Sequence, residues 1–298
     1  MLDVHEARGS SPLPPTILSL SAFLSAIILE VTHMQRAREL IKPYLARDGV
    51  IGIYVLGSST RPFRDELSDY DIEVIVTDDA YKATPDEEKH VFEIDDGPPR
   101  RVDHEFYLRP WSEFAQLASS TQDLFHYPYQ HAIVLHDPTG EMTEVIRKLA
   151  ELPEDVRRMR MRVHFLELLF SLGRARKTSE RSGGLNVQLL YVEALVALTK
   201  LLFLVMGSWP ATRHWSREEL ILLGIDAEFI DRISDAFSSP TQEKMTSLVT
   251  EVRSFLVERG ELLHDVGNEA FQGAYKELVH WAFLTTEGKK AFAEWGAR

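Results

Sequence analysis

The stretch Tyr54-Val-Leu-Gly-Ser-Ser-Thr-Arg-Pro-Phe-Arg-Asp-Glu-Leu-Ser-Asp-Tyr-Asp-Ile-Glu-Val-Ile-Val76 decides the fold of this chain. It predicts two strands joined by a polar turn. The first strand alternates through Ile51, Ile53 and Val55 and ends at Gly57. A second apolar run begins after the polar turn and continues to the end of the stretch, so we expect the two strands to belong to one sheet.

Two carboxylates and a glycine-serine turn lie within this strand pair. Asp69 and Asp71 are two residues apart at the start of the second strand, so they point to the same side and can share a divalent cation. Gly57 permits a close turn, and Ser58 with the following backbone N–H groups can hold phosphate oxygens. These residues are those needed to bind a magnesium nucleoside triphosphate. The alternative is a β-hairpin with a polar loop and exposed acids.

The pattern resembles the signature of the polymerase-beta-like nucleotidyltransferase superfamily, in which a Gly-Ser turn is followed by Asp-x-Asp. Ser68 before the first acid is similar to the small-molecule and antibiotic enzymes of kanamycin or lincosamide type. Many of those enzymes have Arg-Gly shortly after the turn, whereas this chain has Thr60-Arg61-Pro62. The resemblance implies Mg²⁺, ATP or another nucleoside triphosphate as co-substrate, and transfer of a nucleoside monophosphate to an acceptor hydroxyl with release of pyrophosphate.

The residues expected to bind the nucleotide follow from this comparison: Gly57, Ser58, Ser59, Arg61 and Lys200. Arg61 is expected to neutralise charge on the leaving group, and the alternative is that it is simply a surface arginine of a loop.

A third carboxylate comes from a neighbouring strand in the resembled superfamily. The segment Arg101 to Leu108 alternates as a strand and places Asp103 and Glu105 on one face. The resemblance makes Asp103 our preferred third metal ligand, and Glu105 is its rival. The alternative is that Asp103 is an exposed residue of an edge strand.

The chain after Leu152 shows helical patterns alone. One predicted helix, Leu185 to Met206, is apolar almost throughout yet contains Glu193, and at helical spacing Glu193 and Lys200 fall on one stripe. In kanamycin-type transferases a glutamate of a C-terminal helix takes the proton from the acceptor hydroxyl. By this resemblance Glu193 is the predicted general base, raised in pKa by partial burial. The alternative is a structural carboxylate paired with Lys200 or a nearby arginine.

The predicted fold class is α+β, with an N-terminal nucleotidyltransferase α/β domain that contains a small mixed sheet and an all-helical C-terminal domain. We expect a flexible N-terminus over 1–16, a catalytic domain over 17–150 and a helical acceptor-binding domain over 151–298. A long amphipathic helix from Ser19 to Ala46 is expected to open the catalytic domain.

The composition and net charge of the chain restrict the kinds of ligand and partner that we expect it to bind. Of 298 residues, 44% are hydrophobic and 27% charged, and the absence of cysteine excludes disulfides and thiolate chemistry. The net charge is −13, and residues 1–150 hold 14 basic and 25 acidic residues. Such a field attracts cations and repels a phosphate backbone. We therefore expect a cytoplasmic enzyme with a small-molecule, cationic acceptor, without a nucleic-acid or membrane partner, and compatible with a homodimer.

The alternative hypothesis places the protein in a different functional class. A non-catalytic nucleotide-binding or antitoxin-like partner protein would retain the same fold. Clustered carboxylates that repel each other without a metal disfavour this reading.

Overall fold

The computed structural model of the protein describes residues 34–120, 122–181 and 183–261. The chain divides into two compact units between Arg47 and Asp48. In the first unit, residues 34–40 are helical and the short helix α1 (Lys42–Leu45) follows. The sequence predicts one long helix from Ser19 to Ala46. The described part of that segment is mostly helical. The predicted flexible N-terminus and the first part of that helix lie outside the described residues.

The second unit contains a mixed five-stranded sheet, as the sequence predicts. Its strands are β1 (Val50–Leu56), β2 (Tyr70–Val76), β3 (His90–Asp95), β4 (Arg101–Pro110) and β5 (Ile133–His136), in the order β3-β4-β2-β1-β5. β1 is antiparallel to β2 and to β5, β3 is antiparallel to β4, and β2 is parallel to β4. β2 is nearly fully buried because it is the central strand, which explains its continuous apolar sequence.

Helices connect and follow these strands. Their bounds are α2 (Asp78–Ala83), α3 (Asp86–Lys89), α4 (Trp111–Leu117), α5 (Glu141–Ala150), α6 (Glu154–Ser179), α7 (Leu185–Val205), α8 (Ser216–Leu222), α9 (Ala227–Ser238) and α10 (Gln242–Glu258). The fold is therefore α+β, with the sheet in the first half of the chain and helices in the second. The predicted domain boundary near residue 150 stays a prediction, since both halves lie in the second unit.

Two hydrophobic clusters hold the second unit together. One lies against the sheet and includes Tyr54, Ile75, Phe114 and Met142. The other is built from α6 to α10 around the buried residues of α7. By length and composition α7 is the one described helix that could cross a membrane, but 56% of its most apolar window is buried inside the protein. Its apolar sequence is thus explained by its place in the helical core.

Candidate active site

The turn after β1 is shaped by a glycine that contacts a carboxylate. Gly57 has φ +81° and ψ −158°, a conformation accessible essentially to glycine alone. A Cβ atom at this position would lie 1.9 Å from Oδ2 of Asp71. The absence of a side chain at Gly57 therefore lets the turn and the start of β2 come together.

The serines of the turn differ in what their hydroxyls do. The Ser59 hydroxyl donates to the carbonyl of Leu56 at 3.2 Å and so fixes the turn. Ser58 is buried and lines a cleft, and its hydroxyl has no hydrogen-bond partner within the described ranges. A buried hydroxyl without a partner favours contact with a ligand. The nucleotide role of Ser58 stays a prediction, and the hydroxyl of Ser59 is used within the turn.

Asp69 and Asp71 stand beside this turn at the start of β2. Asp71 pairs with Leu56 of β1 on one side and with Glu105 of β4 on the other. Burial, reinforced by the negative charges of Asp69, Glu105 and Glu73, raises the pKa of Asp71 to about 7. Burial also raises the pKa of Asp69. Neither aspartate has an ion-pair partner in the described part of the chain, so their repulsion is not offset by a protein cation.

The third carboxylate of the group is Glu105. The parallel register of β2 and β4 puts Glu105 level with Asp71, and its negative charge raises the pKa of both Asp69 and Asp71. Asp103 instead lies 2.9 Å from Nδ1 of His104 and does not contribute to either shift. The strand register, which the sequence does not show, therefore places Glu105 and not Asp103 level with Asp71. Which of the two acids is the third metal ligand stays a prediction.

Two side chains hold Glu105 in place. The hydroxyl of Tyr107 donates to its Oε2, and Nε2 of His90 lies 3.5 Å from the same oxygen. The rings of His90 and Tyr107 stack with centroids 4.1 Å apart. Glu105 thus has a fixed orientation at the edge of the aspartate pair.

A fourth carboxylate on this face, Glu73, is already neutralised. Arg109 donates to both of its oxygens, at 2.9 and 3.2 Å, and the Tyr54 hydroxyl donates at 2.5 Å. Bidentate arginine-carboxylate pairs are among the stronger charge-assisted hydrogen bonds. The negative charge open to a ligand is therefore that of Asp69, Asp71 and Glu105.

Asp69 and Asp71 line a cleft of about 350 Å³, which is within the range of small-molecule sites. The sheet side of the cleft also contributes Ser58. The opposite wall includes Thr212 and Trp215, which lie around the start of α8. The cleft therefore has an acidic wall from the sheet and a partly aromatic wall from the helical half of the same unit.

Arg61 also lines the cleft and is only 2% exposed. Its Nε donates to Oε1 of Glu219 at 2.6 Å, and the Tyr127 hydroxyl donates to the same oxygen at 2.7 Å. The guanidinium lies 4.8 Å from the centroid of the Tyr127 ring. Arg61 is thus a buried arginine fixed by α8, and the alternative of an exposed loop arginine is wrong.

The oxygen donors of the site fit Mg²⁺. Within the described residues, no group of three or more histidine, aspartate or glutamate side chains is arranged to hold a metal ion unaided. Mg²⁺, however, usually takes one or two carboxylates and completes its shell with water and substrate phosphates. A cation between Asp69 and Asp71 would offset the repulsion that raises the pKa of Asp71. The two carboxylates next to Ser58 are a suitable donor set for a magnesium-phosphate ligand.

Glu193 and Lys200 are not among the residues that line the cleft. Glu193 is exposed, and its Oε2 accepts a hydrogen bond from Ser171 of α6 at 3.3 Å. Lys200 donates to Oδ2 of Asp123 at 3.0 Å. The expectation of a partly buried glutamate is wrong, because this face of α7 also exposes apolar residues such as Val192. Apolar neighbours in the sequence therefore do not bury Glu193.

Sequence reasoning missed Glu219 and Tyr127. Glu219 follows another glutamate in the first turn of α8, where acidic residues commonly interact with the helix dipole, so nothing local distinguished it. Tyr127 lies in a short 3₁₀ turn between α4 and β5 and carries no motif. Their role depends on contacts between positions far apart in the chain.

Comparisons with known proteins give a match to one domain family and to a solved structure. A domain family of unknown function, DUF4037, matches residues 117–216. A solved structure of a nucleotidyltransferase-like protein from Exiguobacterium sibiricum is similar at 16% sequence identity and a TM-score of 0.39, with 76% of this chain and 74% of that chain covered. No curated protein sequence matches the chain. A TM-score below 0.5 does not establish a common fold.

Proposed function

We propose that the protein is a magnesium-dependent nucleotidyltransferase that moves a nucleoside monophosphate from ATP or another nucleoside triphosphate to an acceptor hydroxyl. One observation carries this proposal. Asp71 is half-buried, and its pKa is raised to about 7 by desolvation and by the charges of three neighbouring carboxylates. It lies beside a turn whose Ser58 hydroxyl faces the cleft and has no hydrogen-bond partner among the described residues. A cation would offset the clustered carboxylate charge and a phosphate oxygen would accept from the Ser58 hydroxyl, so the site suits a cation and an oxygen-rich anion together.

Each residue of the site has a distinct role in this proposal. Asp69 and Asp71 would hold the ion, and Glu105 would stand at the acceptor side of the pair. When bound, Mg²⁺ supplies charge neutralisation for the triphosphate and polarises the reacting phosphate. Ser58 donates to a phosphate oxygen, and Arg61 faces the phosphates that leave.

The group transfer balances as a substitution at phosphorus. The acceptor oxygen forms a bond to the α-phosphorus, and the bond from that phosphorus to the oxygen shared with the β-phosphate breaks. Pyrophosphate leaves with the electron pair of that bond, and the hydroxyl proton passes to a carboxylate of the site or to water. Positioning and electrostatic stabilisation supply most of the catalysis in reactions of this type.

A small, cationic acceptor suits the site best. The cleft volume of about 350 Å³ matches a small molecule. The first 150 residues, which carry the carboxylates, also hold most of the net negative charge. Such a field draws cations toward the cleft and repels a long polyanion. Aminoglycosides are therefore a suitable first group of acceptors to test.

The experiment that tests the function measures pyrophosphate release. The protein is incubated with Mg²⁺ and each of the four nucleoside triphosphates, against cationic and neutral hydroxyl compounds and against a protein acceptor. We expect acceptor-dependent release that stops with EDTA.

Magnesium-dependent nucleotide binding without release for any acceptor would instead support the non-catalytic alternative, a nucleotide-binding or antitoxin-like protein. Glu193 does not line the cleft, so the predicted general base does not lie beside a bound acceptor. This position is the reason to test the non-catalytic alternative.

The two candidate third carboxylates are separated by a pair of substitutions. Glu105→Gln should lower the transfer rate by about 100-fold, because it removes a charge level with Asp71. Asp103→Asn is the matched control on the same strand and should change the rate by less than about threefold, since its partner is His104. A larger loss with Asp103→Asn than with Glu105→Gln would return the third position to Asp103.

The exposed position of Glu193 gives a second expectation. Glu193→Gln should leave kcat within about twofold of the unsubstituted protein and barely change the melting temperature, because an exposed carboxylate with one hydrogen bond contributes little. The measurement is a kcat comparison with thermal melting of the same samples. A fall in kcat of about 100-fold, the size typical of a lost general base, would restore the catalytic role.

A further inference from the structure

We propose that Glu219 and Tyr127 are positioning residues that hold Arg61 toward the β- and γ-phosphates of the bound nucleotide. This inference rests on the proposed function and adds to it a link between the phosphate-binding turn and the helical half. Arg61 ends the turn that starts at Gly57, whereas Glu219 lies on α8. The two residues are 158 positions apart in the chain.

The N–H groups of Arg61 are only partly used within the protein. An arginine has five N–H donors. Nε donates to Glu219, and Nη1 donates to Oγ1 of Thr60 at 3.2 Å. Apart from an interaction with the Tyr127 hydroxyl, the remaining N–H groups have no hydrogen-bond partner within the described ranges, although Arg61 is only 2% exposed and lines the cleft. Buried charged donors without partners are costly, so these groups favour an anionic ligand.

The charge of Glu219 is paired inside the protein. Glu219 is buried, and its Oε1 already receives hydrogen bonds from Arg61 and Tyr127. Nε2 of His131 lies 3.9 Å from its Oε2, but burial and the charge of Arg61 lower the pKa of His131. The charged form of His131 is therefore disfavoured, and among the described residues Arg61 is the arginine that pairs with Glu219. A carboxylate with these two bonds fixes the guanidinium and is not free to act as a base.

A positioning role of Glu219 and a purely structural ion pair differ in their effect on ligand binding. An ion pair that only joined α8 to the turn would support every ligand of the cleft equally. A pair that aims Arg61 at the outer phosphates should affect a triphosphate and leave a monophosphate unaffected. The ratio of the affinities for ATP and AMP therefore reports on the proposed role, whereas overall stability does not.

The test is calorimetric titration of the full chain with Mg²⁺·ATP and with Mg²⁺·AMP. In Glu219→Gln we expect ATP to bind about tenfold more weakly, since charge-assisted hydrogen bonds contribute more than neutral ones. AMP affinity should stay within about twofold of the unsubstituted protein. Glu218→Gln, the adjacent glutamate of α8, is the matched control and should change neither affinity.

Tyr127→Phe gives a second and milder variant in case Glu219→Gln does not fold. It keeps the ring over Arg61 and removes only the hydroxyl, so ATP should bind about threefold more weakly while AMP is unchanged. In an Arg61→Lys background, Glu219→Gln should have little further effect on ATP affinity, because the two residues act together.

The possible results separate this inference from the function on which it rests. An unsubstituted protein that binds no nucleoside triphosphate with Mg²⁺ overturns both. Normal ATP affinity in Tyr127→Phe and Glu219→Gln overturns this inference alone. A parallel loss of ATP and AMP affinity also overturns it, because it marks the Arg61–Glu219 pair as structural.

Discussion

Asp71→Asn should lower magnesium-dependent nucleotide transfer by at least about 1,000-fold, because loss of an ion-holding carboxylate costs several kcal/mol in the transition state. Asp71 is central to the site. It lies against Gly57 of the turn, pairs with Glu105 across β2 and β4, and has no protein cation beside it in the described part of the chain. Steady-state kinetics with saturating Mg²⁺ and nucleotide measure the effect.

The same substitution should raise the melting temperature in EDTA at pH 8, by about 2 °C or more. The pKa of Asp71 is about 7 in the folded protein, against an ordinary value of 3.8. The folded state thus binds the proton more tightly, so the stability of the unsubstituted protein falls as the pH rises from about 4 through 7. Asparagine carries no charge and avoids this loss. The difference in melting temperature should therefore shrink as the pH is lowered toward 4.

Asp79→Asn is the matched control for both measurements. Its side chain is fully exposed in α2, so it should change neither transfer nor the pH dependence of melting. An Asp71→Asn protein with full activity would end the nucleotidyltransferase proposal. A melting temperature below that of the unsubstituted protein at pH 8 would instead show that Asp71 stabilises the metal-free fold.

Gly57→Ala should lower transfer by at least about 100-fold, since a displacement of about 1 Å in a reacting group has effects of this size. A Cβ atom at Gly57 would meet the Asp71 carboxylate at 1.9 Å, so either the carboxylate or the turn must move. The backbone conformation also disfavours alanine, at a cost of about 1–3 kcal/mol in the free energy of unfolding. Kinetics and thermal melting of the purified variant measure the two effects separately.

Gly184→Ala separates the loss of geometry from the loss of stability. Gly184 has a similar backbone conformation, φ 63° and ψ −139°, but no atom lies within 4 Å of where its Cβ would be. The Gly184→Ala variant should lose a comparable free energy of unfolding and keep its transfer activity. If both variants lose activity in proportion to stability, the contact between Gly57 and Asp71 has no special role.

The central features of the fold were predictable because local patterns encode them. Alternation of apolar residues predicted β1 and β4, and the second apolar run predicted β2. Gly57 and the two aspartates were found from residue type and spacing. The structure brings these three residues together, as the stretch around them predicts.

The choice between Asp103 and Glu105 was not predictable in the same way. Both acids share one face of β4, and only the pairing of β4 with β2 determines which one lies level with Asp71. Strand register between segments that are distant in the sequence depends on the packing of the whole sheet. The spacing of the acidic residues in β4 therefore limited the third carboxylate to two candidates but did not choose between them.

In the helical half, the sequence did not show which face of a helix is buried. The apolar sequence of α7 predicted burial for Glu193, but the start of this helix exposes Leu185, Leu189 and Val192 as well. A helix that is apolar on all sides carries little information about which face is buried. The pairing of Arg61 with Glu219 depends on a contact between distant segments, for which no local pattern exists.

The most direct test of the central claim is whether the carboxylate pair creates a cation-dependent nucleotide site. Mg²⁺·ATP is titrated calorimetrically into the unsubstituted protein, into the same protein in EDTA, and into Asp71→Asn. We predict binding in the first case, no binding in EDTA, and affinity reduced by at least about 100-fold in the variant. Equal binding by Asp71→Asn, or no binding of any of the four nucleoside triphosphates by the unsubstituted protein with Mg²⁺, would contradict the account.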